Sequence, residues 1–327
     1  SAAVASLTYA NLTYDNELFI AGFDTTQVIM LTENKQTALR TFSFNGSNGK
    51  KFGFGQGVLV VKDWSFSHHK NVMFISDYDT GVNGTRGTTG GQKCYVSYDN
   101  GYTFTVALDF TGKNWSNVIN ASNITNHGGA SAHIHAVTYD PKQDVVWVVT
   151  GDGAVNADNS SFFWSRDLGK TWTQQRTTLV DNNGLRTQMI KAMPFDGCVA
   201  FGSDNDDING VTVITYNGNE MVHELGENFI PEKTGLFAFA RGQWDSLNSN
   251  LKYMAFGRDP QTPDAVAKSF VIASSNGYHW EKVWESYSND IHSQINVFDD
   301  ISGRVYLSLS GTTNMVGRVV ALDPSFI

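Results

Sequence analysis

The sequence predicts an all-β fold, a β-propeller of six four-stranded blades. Three observations carry this. A hairpin phrase recurs about every fifty residues along the 327-residue chain. Each hairpin is followed by a further strand-like run. No stretch shows convincing helical periodicity. Four short strands per repeat, several times over, is the pattern of a propeller.

The hairpins come in order. "LTYDNELFIAGFD" ends at Asp24, and a looser copy, "VLVVKDWSFSHHKNVMFISD", ends at Asp77. "HIHAVTYDPKQDVVWVVTGDG" spans 133–153 and "FDGCVAFGSD" ends at Asp204. "WDSLNSNLKYMAFGRD" ends at Asp259 and "FDDISGRVYLSLSG" at Gly311. Third strands follow as "QVIMLTE", "KCYVSYD", "SFFWSRD", "VTVITYN", "SFVIASS" and "GRVVALD". Short apolar or alternating runs bounded by Gly, Asn and Asp are strands. Fourth strands include "ALRTFSF" and "TFTVALDF".

The blades fall at about 1–50, 51–118, 119–182, 183–229, 230–289 and 290–327, in one domain. Splitting one repeat differently gives five or seven. The sixth repeat has no fourth strand before Ile327, so a segment from the N-terminus is expected to complete it and cover the open edge.

Composition fits. Charged residues make up 17%, below the usual quarter, so the loops are polar through Asn, Gly, Ser and Thr. The net charge of −9 and the lack of a Lys/Arg cluster argue against nucleic acid. No apolar run reaches the ~18–20 residues that span a bilayer, so no membrane insertion is expected. The opening "SAAVAS" lacks the regions of a signal peptide. Cys94 and Cys198 sit in strand contexts and read as buried free thiols rather than a bridge; they do not fix the compartment.

One eight-residue phrase occurs twice between third and fourth strands: "SYDNGYTF" at 97–104 and "SRDLGKTW" at 165–172. Asp99 and Asp167 can accept from backbone N–H groups. Gly101 and Gly169 can supply positive φ. Ser97 and Ser165 can satisfy remaining backbone groups, and Phe104 and Trp172 open the next strand. An eroded copy, "ASSNGYHW", keeps Gly277 and Trp280 and aligns Ser275 with the aspartate. This pattern resembles the Asp-box, or bacterial neuraminidase repeat, of sialidase-like propellers. The resemblance implies that the boxes are structural turns remote from the active site. It does not bring sialidase chemistry with it: there is no Arg-Ile-Pro triplet, and the first arginine is Arg40, in a fourth-strand context.

Propellers bind ligands at a mouth of the channel, where the first strands begin. "HIHAVTYD" and "HSQINVFD" align there without a gap, matching His133 with His292 and His135 with Gln294. "RTQMIKAM" offers Arg186 and Gln188 at the same spacing, and residues two apart on a strand share a face. Second strands exit at Asp24, Asp77, Asp152, Asp204 and Asp259, with Arg258 beside the last; turn capping accounts for these aspartates equally well.

Several chemistries fit these residues. His and Gln can ligate a divalent metal, though no compact ligand motif is present and no cofactor is otherwise implied. His133 or His135 as base with Arg186 or Arg258 on a sugar carboxylate is the logic of a polysaccharide lyase. A glycoside hydrolase needs a carboxyl pair at a defined separation, which the many aspartates allow without identifying. Against these stands a binding-only reading. The loops 77–92 and 114–131 are long, and Trp115 and His127 could stack on sugar. The composition is similar to that of phage tail adhesins. The expectation is a glycan-recognising, receptor-binding module at an extracellular or virion surface, with carbohydrate as partner. The alternatives are a carbohydrate-active enzyme and a protein-interaction propeller. Oligomeric state is not set by the sequence.

Overall fold

The structure is a computed structural model of residues 1–327. It describes the backbone of the strands named below, and side chains at 61, 72–76, 93–108, 134–149, 162–174, 193–202, 211–215, 251–255, 270–286, 304–307 and 319–322. Among the described residues there is no helix. The strands form six sheets, the blades of a propeller, and the chain divides into two compact units, 1–176 and 177–327.

In the first unit, one sheet holds β1 (Leu7–Leu12), β2 (Leu18–Gly22), β3 (Gln27–Leu31) and β4 (Ala38–Ser43) in sequence order. The second holds β5 (Lys51–Phe52), β6 (Val58–Lys62), β7 (Asn71–Tyr78), β8 (Lys93–Ser97) and β9 (Thr105–Asp109), with β5 and β6 both pairing β7. The third runs β10 (Val118–Ile119), then β14 (Trp172–Arg176), β13 (Ser161–Ser165), β12 (Val145–Gly151) and β11 (His133–Asp140). Here β10 is an addition: it pairs parallel with β14 and caps the outer edge.

The second unit has β15 (Met189–Pro194), β16 (Cys198–Ser203), β17 (Gly210–Asn217) and β18 (Glu220–Asn228). Next come β19 (Ala238–Asp245), β20 (Lys252–Arg258), β21 (Phe270–Ser274) and β22 (Glu281–Glu285). Among the described residues the last sheet has three strands, β23 (His292–Asp299), β24 (Val305–Gly311) and β25 (Arg318–Ala321). The strand expected to complete it from the N-terminus lies outside the described residues: β1 pairs within its own sheet, and residues 1–6 are not among those described.

Among the described side chains, the second and third sheets share a core, as do the fourth and fifth and the fifth and sixth. In the first unit, Val61, Phe74, Cys94 and Val96 pack with Ile134, Val137, Val148, Phe163 and Trp172. The run Val145–Val149 is buried throughout, because β12 is covered on both faces, and such strands read as continuous apolar runs rather than alternations. In the second unit, Met193, Phe195 and Cys198 pack with Met254, Ile272 and Trp280, and Tyr253 and Ala255 pack with Val305 and Leu307. Each wholly buried large side chain contributes about 1.5–3 kcal/mol relative to exposure. Cys94 and Cys198 are buried, free thiols, as their contexts suggest.

Candidate functional site

The strand ladder tells the two ends of a sheet apart. In the third sheet His133 pairs with Gly151 at one end, and Asp140 with Val145 at the other. Val146 pairs with Ser165, so the 165–172 turn shares the end of the Asp140 hairpin. Arg166 Nη1 confirms this by donating to the Gln143 carbonyl at 3.0 Å. The seven residues of β12 span the distance between the ends, about 20 Å at ~3.3 Å per residue.

The turn end is structural. Ser165 Oγ accepts from Gly169 N at 2.7 Å and donates to Asp167 Oδ1 at 2.8 Å. Asp167 accepts from the N–H and hydroxyl of Thr171, at 2.8 and 2.6 Å. The 97–104 copy repeats this set: Gly101 N to Ser97 at 2.8 Å, Thr103 N to Asp99 at 2.8 Å and the Thr103 hydroxyl at 2.6 Å. Asn100 (φ 58°) and Gly101 (φ 79°) occupy the centre of that turn, and Tyr102 N donates to the Asp99 carbonyl at 3.3 Å. Two successive positive φ values are those of a type I′ turn. Leu168 (φ 60°) and Gly169 (φ 83°) repeat them. Burial would raise the Asp99 and Asp167 pKa values. The bonds from Thr103 and Ser97, and from Thr171 and Ser165, outweigh it and hold both below the ordinary carboxylate range.

The third copy is corrected by the structure. Asn276, not Ser275, takes the aspartate's part: its Oδ1 accepts from Tyr278 N at 2.8 Å and His279 N at 3.0 Å. Ser274 accepts from Gly277 N at 2.9 Å. This turn is one residue shorter, lacking the position held by Asn100 and Leu168, so a gap-free alignment shifts its first half by one. In both Trp copies the indole N–H caps the turn glycine's carbonyl, Trp172 to Gly169 at 3.0 Å and Trp280 to Gly277 at 2.8 Å. Phe104, which has no N–H to donate, is half-buried.

Adjacent turns are also tied together in the first unit. Tyr98 donates its hydroxyl to the Leu168 carbonyl at 2.8 Å, and burial, then the nearby Asp167 charge, pushes its pKa up to about 12. At the same end Asp140, wholly buried, accepts from Lys142 N and Gln143 N at 2.9 and 3.2 Å. It is a turn cap.

In the third and last sheets the strand end away from the turns carries a histidine. His133 opens β11 opposite Gly151, the last residue of β12; His292 opens β23 opposite Gly311, the last residue of β24. The two positions are equivalent by register. The corresponding pairs elsewhere are Leu7 with Gly22, Met189 with Ser203 and Ala238 with Arg258. Met189 therefore holds in β15 the place that His133 and His292 hold in their strands. Arg186 and Gln188 precede it and lie outside the described residues, as do Trp115, His127, Asp24, Asp152, Asp204 and Asp259. Asp77 sits within β7, paired with Phe52.

A β-bulge lies near the start of the first strand in each of these five sheets, after the first pair in β1, β15 and β23, the second in β11 and the third in β19. The unpaired residue is Thr8, His135, Ile190 or Ser293, and in β19 Arg241 and Gly242 oppose Ala255. His135 is thus an inserted residue, whereas Gln294 pairs with Ser310. The gap-free match of His135 with Gln294 does not survive the register. Nor does the premise that residues two apart share a face: Ile134 and Val137, three apart, face the same core. Bulges re-aim side chains and favour functional edges. The His135 side chain is 8% exposed, a polar group in an apolar stretch. The side chains of His133, His292, Gln294 and Arg258 lie outside the described set. Among the described residues no group of three His, Cys, Asp or Glu can hold a metal ion.

The chain matches no protein-family profile and no curated protein in sequence. Solved structures match over nearly its whole length. The Cps50 (Swd1) β-propeller domain of Myceliophteria thermophila covers 97% of this chain and 84% of its own, at TM-score 0.57 and 9% identity. A europium-containing methanol dehydrogenase covers 97% and 68%, at 0.53 and 13%. A prolyl endopeptidase covers 98%, at 0.51 and 14%, and this chain spans 40% of that one. At such identities the likeness establishes the propeller fold.

Proposed function

We propose that the chain is an Asp-box-type propeller that recognises glycans at the end where its first strands begin. The observation that supports this most is the register equivalence of His133 and His292, each opposite a terminal glycine and each one or two residues before a bulge. Nothing in blade construction requires a histidine at that place: Leu7, Met189 and Ala238 fill it elsewhere. The turn end, by contrast, commits its serines, aspartates and threonines to backbone groups. The module is an adhesin-type, receptor-binding unit acting at an extracellular or virion surface, with poly- or oligosaccharide as partner.

A lyase is the second reading, favoured by one observation. His135 is an imidazole inserted by a bulge into an apolar strand, where a base could be held rigidly for proton abstraction beside a sugar carboxylate. One experiment separates the readings. A polysaccharide panel is scored for binding, and in parallel for unsaturated-uronate absorbance and reducing ends. Binding without turnover supports recognition. Sustained turnover lost in His133→Ala and His135→Ala establishes the enzyme instead. Silence in both leaves a protein-interaction propeller.

A further inference from the structure

We propose that, within 177–327, Arg258 and His292 together receive an anionic group of the glycan, a carboxylate or a sulfate; the proposal rests on the glycan reading above. Arg258 ends β20 opposite Ala238, the first residue of β19, and His292 begins β23 opposite Gly311. Strand β23 packs against both β19 and β20, and the two sheets share the core of Tyr253, Ala255, Val305 and Leu307. First strands of successive propeller blades run in the same sense around the channel. Arg258 and His292 therefore stand at the same end of two neighbouring sheets. Both paired positions opposite them carry a small residue, Ala238 or Gly311.

The chemistry of this set favours an anion. A guanidinium presents a planar fork of donors that matches carboxylate or sulfate oxygens. An imidazole N–H donates to the same oxygens. The chain as a whole is acidic, at −9, so long-range attraction does not drive capture. Recognition is local, and selectivity for acidic over neutral glycan reports on it directly.

The test compares dextran, polygalacturonate and dextran sulfate binding to the full chain by calorimetry. Arg258→Ala, Arg258→Lys and His292→Gln are measured beside the parent, with thermal midpoints as the folding control. We expect at least one acidic polymer to bind about tenfold or more tighter than dextran, a difference that one charge-assisted contact can supply. Arg258→Ala should erase that margin, Arg258→Lys recover part of it, and His292→Gln reduce it several-fold. Whether polygalacturonate or dextran sulfate is preferred assigns the group. Dextran bound as tightly as both acidic polymers overturns the proposal and leaves glycan recognition standing. So does Arg258→Ala that keeps its selectivity at an unchanged midpoint. No binding to any glycan overturns both.

Discussion

Gly169 sits so close to Phe74 that a Cβ on the glycine would stand 2.9 Å from the ring's Cε1. Phe74 belongs to β7 of the preceding sheet, so the turn is a wedge between blades as well as a cap. Gly277 repeats the relationship in the second unit, where a Cβ would meet Cys198 Sγ and the Phe195 ring at 2.8 Å. Both glycines have positive φ, 83° and 82°.

Gly197 provides the comparison, with φ 82° and nothing within 4 Å of the place a Cβ would take. Gly197→Ala should cost only the left-handed strain, about 1–2 kcal/mol. Gly169→Ala and Gly277→Ala add overpacking of about 1–3 kcal/mol. Urea midpoints should rank Gly197→Ala as the mildest of the three. Equal losses would show that the close contacts to Phe74, Phe195 and Cys198 do not matter.

The third turn predicts which neighbouring residue matters. Asn276→Asp keeps the acceptor and should leave stability close to the parent, while Asn276→Ala should lose about 1 kcal/mol, as for other caps. Ser275→Ala should be neutral. Denaturation of the three variants decides the register, and a loss confined to Ser275→Ala would restore the gap-free alignment.

Acid should loosen the turns. The folded-state pKa values of Asp99 and Asp167 are lowered from an unfolded value near ~3.9. Their stabilisation is fully present above that value and is lost as pH falls through the folded pKa values. Asp167→Asn and Asp99→Asn should flatten the acid limb of a melting-temperature profile below about pH 4. An unchanged limb in the double variant would place the acid sensitivity elsewhere.

Two buried hydroxyls, Ser76 Oγ and Thr212 Oγ1, find no partner among the described residues. Removing an unsatisfied buried polar group is neutral or stabilising, by about 0–2 kcal/mol. Ser76→Ala and Thr212→Val should therefore hold or raise the urea midpoint. A clear drop in either would reveal a bound water or partner at that hydroxyl.

The strand repeat was legible because apolar runs and turn residues are local signals. "SFFWSRD" and "KCYVSYD" became β13 and β8 from their first residues, with the last two residues of each taken into the turn. The two full turns were legible for the same reason, since Ser97, Asp99 and Thr103 are close in sequence and bond each other. What escaped was register. A one-residue bulge leaves "HIHAV" looking like any other strand, so the insertion of His135 appears only in its pairing. The two-residue β10 carries no periodicity to detect, and it exists only through its parallel partner β14. The shorter third turn escaped because deleting one left-handed residue preserves Gly277 and Trp280 while displacing Ser274 and Asn276.

The claim that function lies at the first-strand end is tested most directly by glycan affinity in two double variants. His133→Ala with His292→Ala alters the first-strand starts of the third and last sheets, and Asp99→Asn with Asp167→Asn alters the turns of the second and third. Affinity should fall by about tenfold or more in the histidine variant at an unchanged melting temperature. In the aspartate variant the melting temperature should fall and the affinity of the folded protein should hold. The opposite pattern, with binding kept without both histidines and lost with the turn aspartates, would contradict the account.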